Sequence, residues 1–399
     1  MNKKYFTYDD LIKYFHNSIT PPSENKLGIE YEIFCFHKDS LKRLDYYSNP
    51  GIKNSIEYFV HQGFTPTYEG NILIGAESND FYITLEPGGQ FEASFAPCKT
   101  IREFEKLLNS YLFHLHEIEK SYPIIFVASG VDPISKPDEV PWMPKERYQI
   151  MQKYLANKGS LGHLMMKQSA AIQVNIDYNS EIDAVNKYNR VIDLYNPLMH
   201  LFSNSSIYEN KIQDTLNFRE IIWQNTDLKR CGITLGNKSI TSFNDYINTA
   251  LDIPMILICK NNRFIEITKH LTFNEFMAKG YESYDADIND WKLHLNMLYP
   301  HVRFNNKTLE IRLFDSQKPE ILLAITAVTQ ALFYGEENNK EKLSAKDIVL
   351  ESQKKLSPEE RTYLKPLPTL LKKTSAESAR EYFIQKKNVH DFIHTLKVL

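Results

Sequence analysis

Glu30 and Glu32, in the run Leu27-Gly-Ile-Glu-Tyr-Glu-Ile-Phe, are the first residues whose spacing carries chemistry. Read as a strand, this run turns Leu27, Ile29, Tyr31 and Ile33 to one face and both glutamates to the other, roughly 7 Å apart. Thr308-Leu-Glu-Ile-Arg-Leu-Phe repeats the pattern, with Leu309, Ile311 and Leu313 inward and Glu310 and Arg312 outward together. Ala171-Ile-Gln-Val-Asn-Ile-Asp sets Gln173, Asn175 and Asp177 against Ile172, Val174 and Ile176. Within Phe81–Ser94, the residues Glu86, Gln90, Glu92 and Ser94 share parity, and Pro87-Gly88-Gly89 marks a bend.

Any one of these strands reads as an ordinary amphipathic strand with its polar face in water. Solvated faces, however, favour Thr, Lys, Ser and mixed charge. These faces hold carboxylates, amides and one Arg. Glu30, Glu32, Glu86, Glu92 and Glu310 brought together would repel one another unless cations stood between them. Hard divalent ions with oxygen ligands, Mg²⁺ first and Mn²⁺ as the alternative, suit that space. A sheet face that binds such ions commonly does so to hold phosphates, leaving Arg312 for charge developing on a transferred phosphoryl group. The chain has no G-x-x-x-x-G-K-[ST], no G-x-G-x-x-G and no kinase signature set, so a nucleotide would lie on the sheet itself.

The elements that must position these residues are legible. Strands are expected at Leu27–Phe36, Phe81–Ser94, Ile124–Ser129, Ala170–Asp177, Met255–Lys260, Phe264–Thr268 and Lys307–Phe314, with a hairpin loop at Asn261-Asn262-Arg263. Thr100 and Glu103 form a capping box before a helical run that Pro123 stops. Ser180 and Asp183 open a second helix, kinked or ended near Pro197. Pro319 starts an apolar helix that closes at Gly335, and Thr374 with Glu377 caps a terminal helix running toward Leu399. The Lys/Glu-rich stretch Gly335–Lys373 reads as a loose connection. The division is thus 1–335 as the catalytic unit and 336–399 as a helical extension packed on it.

Composition narrows the class. The chain has 399 residues, 42% hydrophobic and 24% charged, with a formal net charge of -3, which gives a globular protein and no electrostatic case for nucleic acid. No apolar run approaches the ~20 residues of a membrane span, and no apolar segment follows the N-terminal lysines. Cys35, Cys98, Cys231 and Cys259 are scattered, which fits a reducing cytoplasm. His390 and His394 have helical spacing for a metal but no third ligand, so they read as a solvated helix face. His163 reads as positional.

Several strings resemble the plant-type and proteobacterial glutamate–cysteine ligases. They are Gly28-Ile-Glu-Tyr-Glu, Leu85-Glu-Pro-Gly-Gly-Gln-Phe-Glu-Ala-Ser, Gln173-Val-Asn-Ile-Asp, Asn217-Phe-Arg-Glu-Ile-Ile-Trp-Gln-Asn-Thr-Asp-Leu-Lys-Arg and Leu309-Glu-Ile-Arg. The resemblance implies an α+β, glutamine-synthetase-like fold: a curved antiparallel sheet forming an active-site funnel, flanked by helices. It implies ATP as co-substrate, with amide formation between the γ-carboxyl of L-glutamate and L-cysteine. Glu30, Glu32, Glu86, Glu92 and Glu310 would then bind Mg²⁺. Gln90, Gln173, Asn175 and Arg312 would meet the nucleotide, and Arg312 and Glu310 would serve catalysis. Arg219 or Arg230 would grip the glutamate α-carboxylate, in the segment that also holds Trp223, itself equally read as core packing.

Two small family positions differ. Phe95 and Leu313 stand where the family usually has glycine, and the chain is shorter around Gly232–Asp252. Added bulk there raises a second reading, a related ligase joining glutamate or another acid to a different amine. A third reading is a nucleotide binder without turnover.

Overall fold

The computed structural model describes residues 6–231, 238–305, 307–335, 342–385 and 388–399. Its frame is a nine-stranded sheet in which every pairing is antiparallel. In chain order the strands are β1 (Leu27–His37), β2 (Thr65–Glu69), β3 (Ile72–Glu77), β4 (Phe81–Leu85), β5 (Phe91–Phe95), β6 (Ile124–Val127) and β7 (Ala171–Ile176). Two short hairpins follow, β8 (Ile207–Tyr208) with β9 (Lys211–Ile212) and β10 (Leu257–Lys260) with β11 (Arg263–Glu266); β12 (Val302–Phe304) and β13 (Leu309–Asp315) complete the sheet. Across the sheet the order is β12-β13-β7-β1-β5-β4-β3-β2, and β6 pairs with the far end of β1.

Apolar residues of the inner face meet the 21-residue helix Ile101–Ser121 and the apolar helix Pro319–Tyr334, where Ile29, Tyr31, Ile33, Val174 and Ile311 are buried. Each large apolar side chain so buried contributes about 2 kcal/mol or more. Thr100 caps the Ile101–Ser121 helix by accepting from the Glu103 N–H, but the Glu103 carboxylate accepts from the Lys99 N–H rather than from Thr100, so only half of the expected capping box forms.

The other face changes character along β1. Glu30 and Glu32 lie on it, and so do Phe34 and Phe36 one and two steps further. Those two rings join Leu41, Ile125, Val127 and Ile207 in a second apolar core. The C-terminal helices Ser375–Ile384 and Val389–Thr395 cover it through Ala379, Phe392 and Ile393. Val398 N–H donates to Phe126 O and Ala128 N–H to Leu396 O, so the chain's end is stitched along β6.

Several expectations are corrected. Phe81–Ser94 is two strands, because Glu86–Gln90 reverses the chain with Gly89 at a φ of 76°. The helix from Glu181 runs through Pro197 to Leu201: Pro197 lacks the N–H that would reach Asp193 O, but the helix continues for one more turn. The terminal helix stops at Ile384, and Asn388 caps a separate one. Of the expected loose connection Gly335–Lys373, the described part from 342 on is not loose: Ile348, Val349, Leu356, Leu364 and Leu367 all reach the main core, so few apolar residues suffice when each is buried. The expected boundary after Gly335 and part of the shortened Gly232–Asp252 region lie outside the described residues. Asn261 and Asn262, both at positive φ, close the β10–β11 hairpin with Arg263 already in the strand. Among the described residues, no helix is long and apolar enough to cross a membrane.

Candidate active site

Strand register turns separate parities into rows of side chains. Glu30 stands opposite Gln173 on β7 and Ser94 on β5. Glu32 stands opposite Glu92, which in turn opposes Thr84 on β4. Asn175 stands opposite Glu310, and Glu310 opposite Arg303 on β12. A register shift between Ile311 and Phe314 marks the bulge that carries Arg312.

The carboxylates of this face are unequally held. Glu310 is 1% exposed. Arg303 grips both its oxygens, at 2.6 and 3.2 Å, and Arg312 also pairs with it. Burial pushes its pKa upward, but the two guanidiniums prevail and hold it down at about 2. Glu32 accepts from the Ala171 N–H at 2.8 Å and from Gln173 Nε2 at 2.7 Å. Even so, burial and then Glu86 raise its pKa to about 8. Among the described residues Glu30 accepts only from Asn175 Nδ2, and desolvation with Glu310 raises it to about 7. Glu92 accepts from Ser94 Oγ and is pushed up by burial and by Glu86, Glu30 and Glu32.

Carboxylates raised by desolvation and by neighbouring carboxylates, as Glu30, Glu32 and Glu92 are, mark a site short of positive charge. The donor atoms are all hard oxygens, so the set fits Mg²⁺ or Mn²⁺. Among the described residues no three His, Cys, Asp or Glu side chains converge as a ready-made metal cage. Mg²⁺ seldom needs one, since one or two carboxylates plus substrate phosphates satisfy it.

The face ends in two cavities. The enclosed one, about 70 Å³, is bounded by Glu32, Glu86, Arg219, Trp223, Tyr299 and Arg312, with Met151, Met165 and Met166 as apolar walls. The wide one, about 780 Å³, runs past Glu30, Ser94, Asn175 and Thr308 to exposed Lys26, Lys99 and Lys307.

Arg219 is buried and aimed at the enclosed cavity. Its Nη2 donates to Arg312 O and its Nη1 lies 3.8 Å from Asp315, while its Nε has no partner among the described residues. Trp223 borders the same cavity, its ring centroid 5.9 Å from the Arg219 guanidinium carbon and its buried Nε1 without a partner among the described residues. Unpaired buried donors are costly, so a cavity lined by them is built for an acceptor. Arg230 is not brought here. It is fully buried, bonded to Asp227, Met297 O, Tyr154 and Pro254 O, and ties the Asp227 turn to the core. Gln90 borders the cavity, but both its donor hydrogens go to Met166 O and Ser169 O and its oxygen takes the Gly88 N–H. It shapes the turn rather than presenting an amide. Gln173 and Asn175 bridge the carboxylates to Arg312 and to Asn305 and Thr308.

Sequence reasoning missed Arg303, although Val302-Arg303-Phe304 has the same apolar–charged–apolar alternation that exposed Glu310 and Arg312. It also missed Arg147, which lies in the field of Glu86 and Tyr299 beside Tyr148, and no periodic signal marks it. His163 Nε2 donates to Gln152 O at 2.9 Å, and His390 and His394 are exposed on their helix. Phe95 borders the wide cavity, but its ring packs on Phe81, Phe104 and Tyr111. Leu313 is buried in the main core. Neither lines the enclosed cavity.

The fold is that of solved ligases. A glutamate–cysteine ligase from Francisella tularensis in complex with AMP shares it at a TM-score of 0.55 and 12% identity, over 93% of this chain and 87% of that one. A bifunctional glutathione synthetase from Pasteurella multocida gives 0.52 and 11%, over 98% of this chain and 53% of that one. The model of glutamate–cysteine ligase family 2 matches residues 26–378, and the chain belongs to that family. Chloroplastic glutamate–cysteine ligases are its curated relatives. The Brassica juncea protein is 32% identical over 336 residues, 83% of this chain and 64% of its own length. Ligase A of Oryza sativa subsp. indica is 33% identical over 337 residues, 83% of this chain and 68% of its own. The chain thus spans about two thirds of the length of these relatives.

Proposed function

We propose that the protein is an ATP-dependent ligase forming an amide between the γ-carboxyl of L-glutamate and the amine of L-cysteine. The observation that carries this reading is the pairing of a carboxylate face with a buried Arg219 at its enclosed end, whose Nε has no partner among the described residues. Glu30, Glu32, Glu86 and Glu92 would hold Mg²⁺, which supplies neutralisation of the triphosphate. Glu310, clamped by Arg303, fixes Arg312 at the centre of the face.

In this reading the triphosphate lies along the face with the nucleoside toward the wide cavity, whose lysine edge suits an anion. Glutamate enters the enclosed end, where Arg219 pairs with its α-carboxylate through the planar fork that suits carboxylates. Its γ-carboxylate oxygen attacks the terminal phosphorus and ADP leaves, giving an acyl phosphate. The amine of the acceptor then attacks the acyl carbon and phosphate leaves. Arg312 stabilises charge on the transferred group, and proximity supplies much of the rate. The absence of a disulfide at Cys35, Cys98 and Cys259 among the described residues supports a reducing, cytoplasmic setting.

ADP and phosphate release with Mg²⁺–ATP and L-glutamate, with and without L-cysteine, together with the product mass, tests this. Cysteine-dependent release with a γ-glutamylcysteine product is expected. Glutamate hydroxamate formed with hydroxylamine, but no response to cysteine, would move the acceptor to another amine. Absence of both would remove glutamate from the reading.

A further inference from the structure

Glu86 differs from the other carboxylates of the face. Glu30, Glu32, Glu92 and Glu310 each accept hydrogen bonds that fix their side chains. Among the described residues, no donor holds the Glu86 carboxylate, so its place depends on the backbone of its turn. That backbone is gripped at successive carbonyls. Lys145 Nζ and Tyr148 Oη donate to Leu85 O at 2.8 and 2.5 Å, and the Met143 N–H donates to Pro87 O at 2.8 Å. Inside the turn, the Gly89 N–H closes on Glu86 O at 2.8 Å. A side chain at Gly88 would strike Lys167 O at 2.2 Å, so the turn is pressed against the 166–169 segment that helps wall the enclosed cavity.

The far side of the turn is held by a residue from outside the site. Arg43 Nη2 donates to Gly88 O at 2.7 Å, while its Nη1 donates to Asp132 at 3.0 Å. Both charges of that pair are almost wholly buried, at 1% and 0% side-chain exposure. The guanidinium lies over the Phe34 ring at 4.6 Å, and the other Asp132 oxygen accepts from the N–H groups of Ile134 and Ser135. A buried ion pair of this kind gives little net stability, because desolvation offsets its attraction, but it imposes one geometry.

We propose that Arg43 is a positioning residue for Glu86. Its paired, immobile guanidinium fixes Gly88 O, and with it the turn that aims Glu86 at the divalent cation on the carboxylate face. This rests on the metal reading of that face.

The test is Mn²⁺ binding to the full chain with a non-hydrolysable ATP analogue, read from the free-ion EPR signal, for wild type, R43M, R43K, E86Q and R43M/E86Q. R43M is expected to weaken Mn²⁺ binding by about tenfold, as loss of a support behind a metal ligand does. R43K, whose single ammonium cannot hold Asp132 and Gly88 O together, should fall between. In the E86Q background, R43M should add almost nothing, because both changes remove the same ligand. Wild-type affinity in R43M, or an undiminished loss in the E86Q background, overturns the proposal. If R43M does not unfold cooperatively, R43K and R43K/E86Q carry the same cycle. No Mn²⁺ binding by wild type would instead bring down the metal reading, and this proposal with it.

Discussion

At one end of the carboxylate face, Glu32 and Glu86 look into about 70 Å³ walled by methionines, Trp223 and two guanidiniums. At the other, Glu30 looks along about 780 Å³ toward exposed lysines. The same sheet therefore offers two environments to charged ligands. In the enclosed end, charges are desolvated, so under the proposed function one buried Arg219 would discriminate strongly, a mismatched ligand leaving donors unpaired. In the wide end, lysines act through water and salt, which suits a large anion held by many weak contacts.

Four changes would break or sharpen that contrast. The largest effect is expected where the ends meet. Arg312→Ala should lower turnover about a thousandfold, as loss of a charge-stabilising donor does, while ATP-analogue binding persists. A tenfold or smaller fall in single-turnover rate would count against Arg312. Next, Arg219→Met should raise KM for glutamate about a hundredfold, since a charge-assisted pair is worth about 3 kcal/mol, and leave KM for ATP within about twofold. Steady-state kinetics in both substrates decides this; parallel rises would merge the two ends.

The third concerns pH in the metal-free protein. Glu30 and Glu32 have folded pKa values raised to about 7 and about 8 from the ordinary 4.5, so the folded state binds more protons than the unfolded state between those limits. The stability they contribute is complete below about pH 4.5 and is lost as pH rises through 7 to 8. Thermal unfolding should thus show Tm falling across that range, and Mg²⁺ with an ATP analogue should flatten the fall. Glu30→Gln and Glu32→Gln should each remove part of it; a flat profile in wild type would contradict carboxylates raised by desolvation and by their acidic neighbours. The smallest effect belongs to the rim. Lys26→Ala with Lys99→Ala should raise KM for ATP about threefold at low salt, less at high salt, without touching KM for glutamate. A salt-independent effect would argue for specific contacts at the wide end.

Much of the site was readable from strand periodicity. Glu30 with Glu32, Glu310 with Arg312, and Gln173 with Asn175 share a face because the pleat alternates, whatever the strand pairs with. The Pro87-Gly88-Gly89 bend was visible, but not that it reverses the chain fully, because a turn's hydrogen bonds come from Arg43, Met143 and Lys145 elsewhere. Arg219 and Arg230 looked alike in one segment. Eleven residues apart, they separate only when the fold buries one among backbone carbonyls and leaves the other facing a cavity. The C-terminal stretch misled because composition counts apolar residues and not their depth.

The order of apolar and charged residues by itself determined which side chains share a strand face, where the capped helices begin and that the polar faces are acidic. These are local consequences of backbone geometry. Only the tertiary structure decided that Glu32 opposes Glu92, that Arg303 claims Glu310, and that the face bearing Glu30 and Glu32 becomes apolar core at Phe34 beneath the C-terminal helices. Such pairings depend on which distant segments meet, and the energy that selects them is buried area and satisfied charge summed over the whole chain.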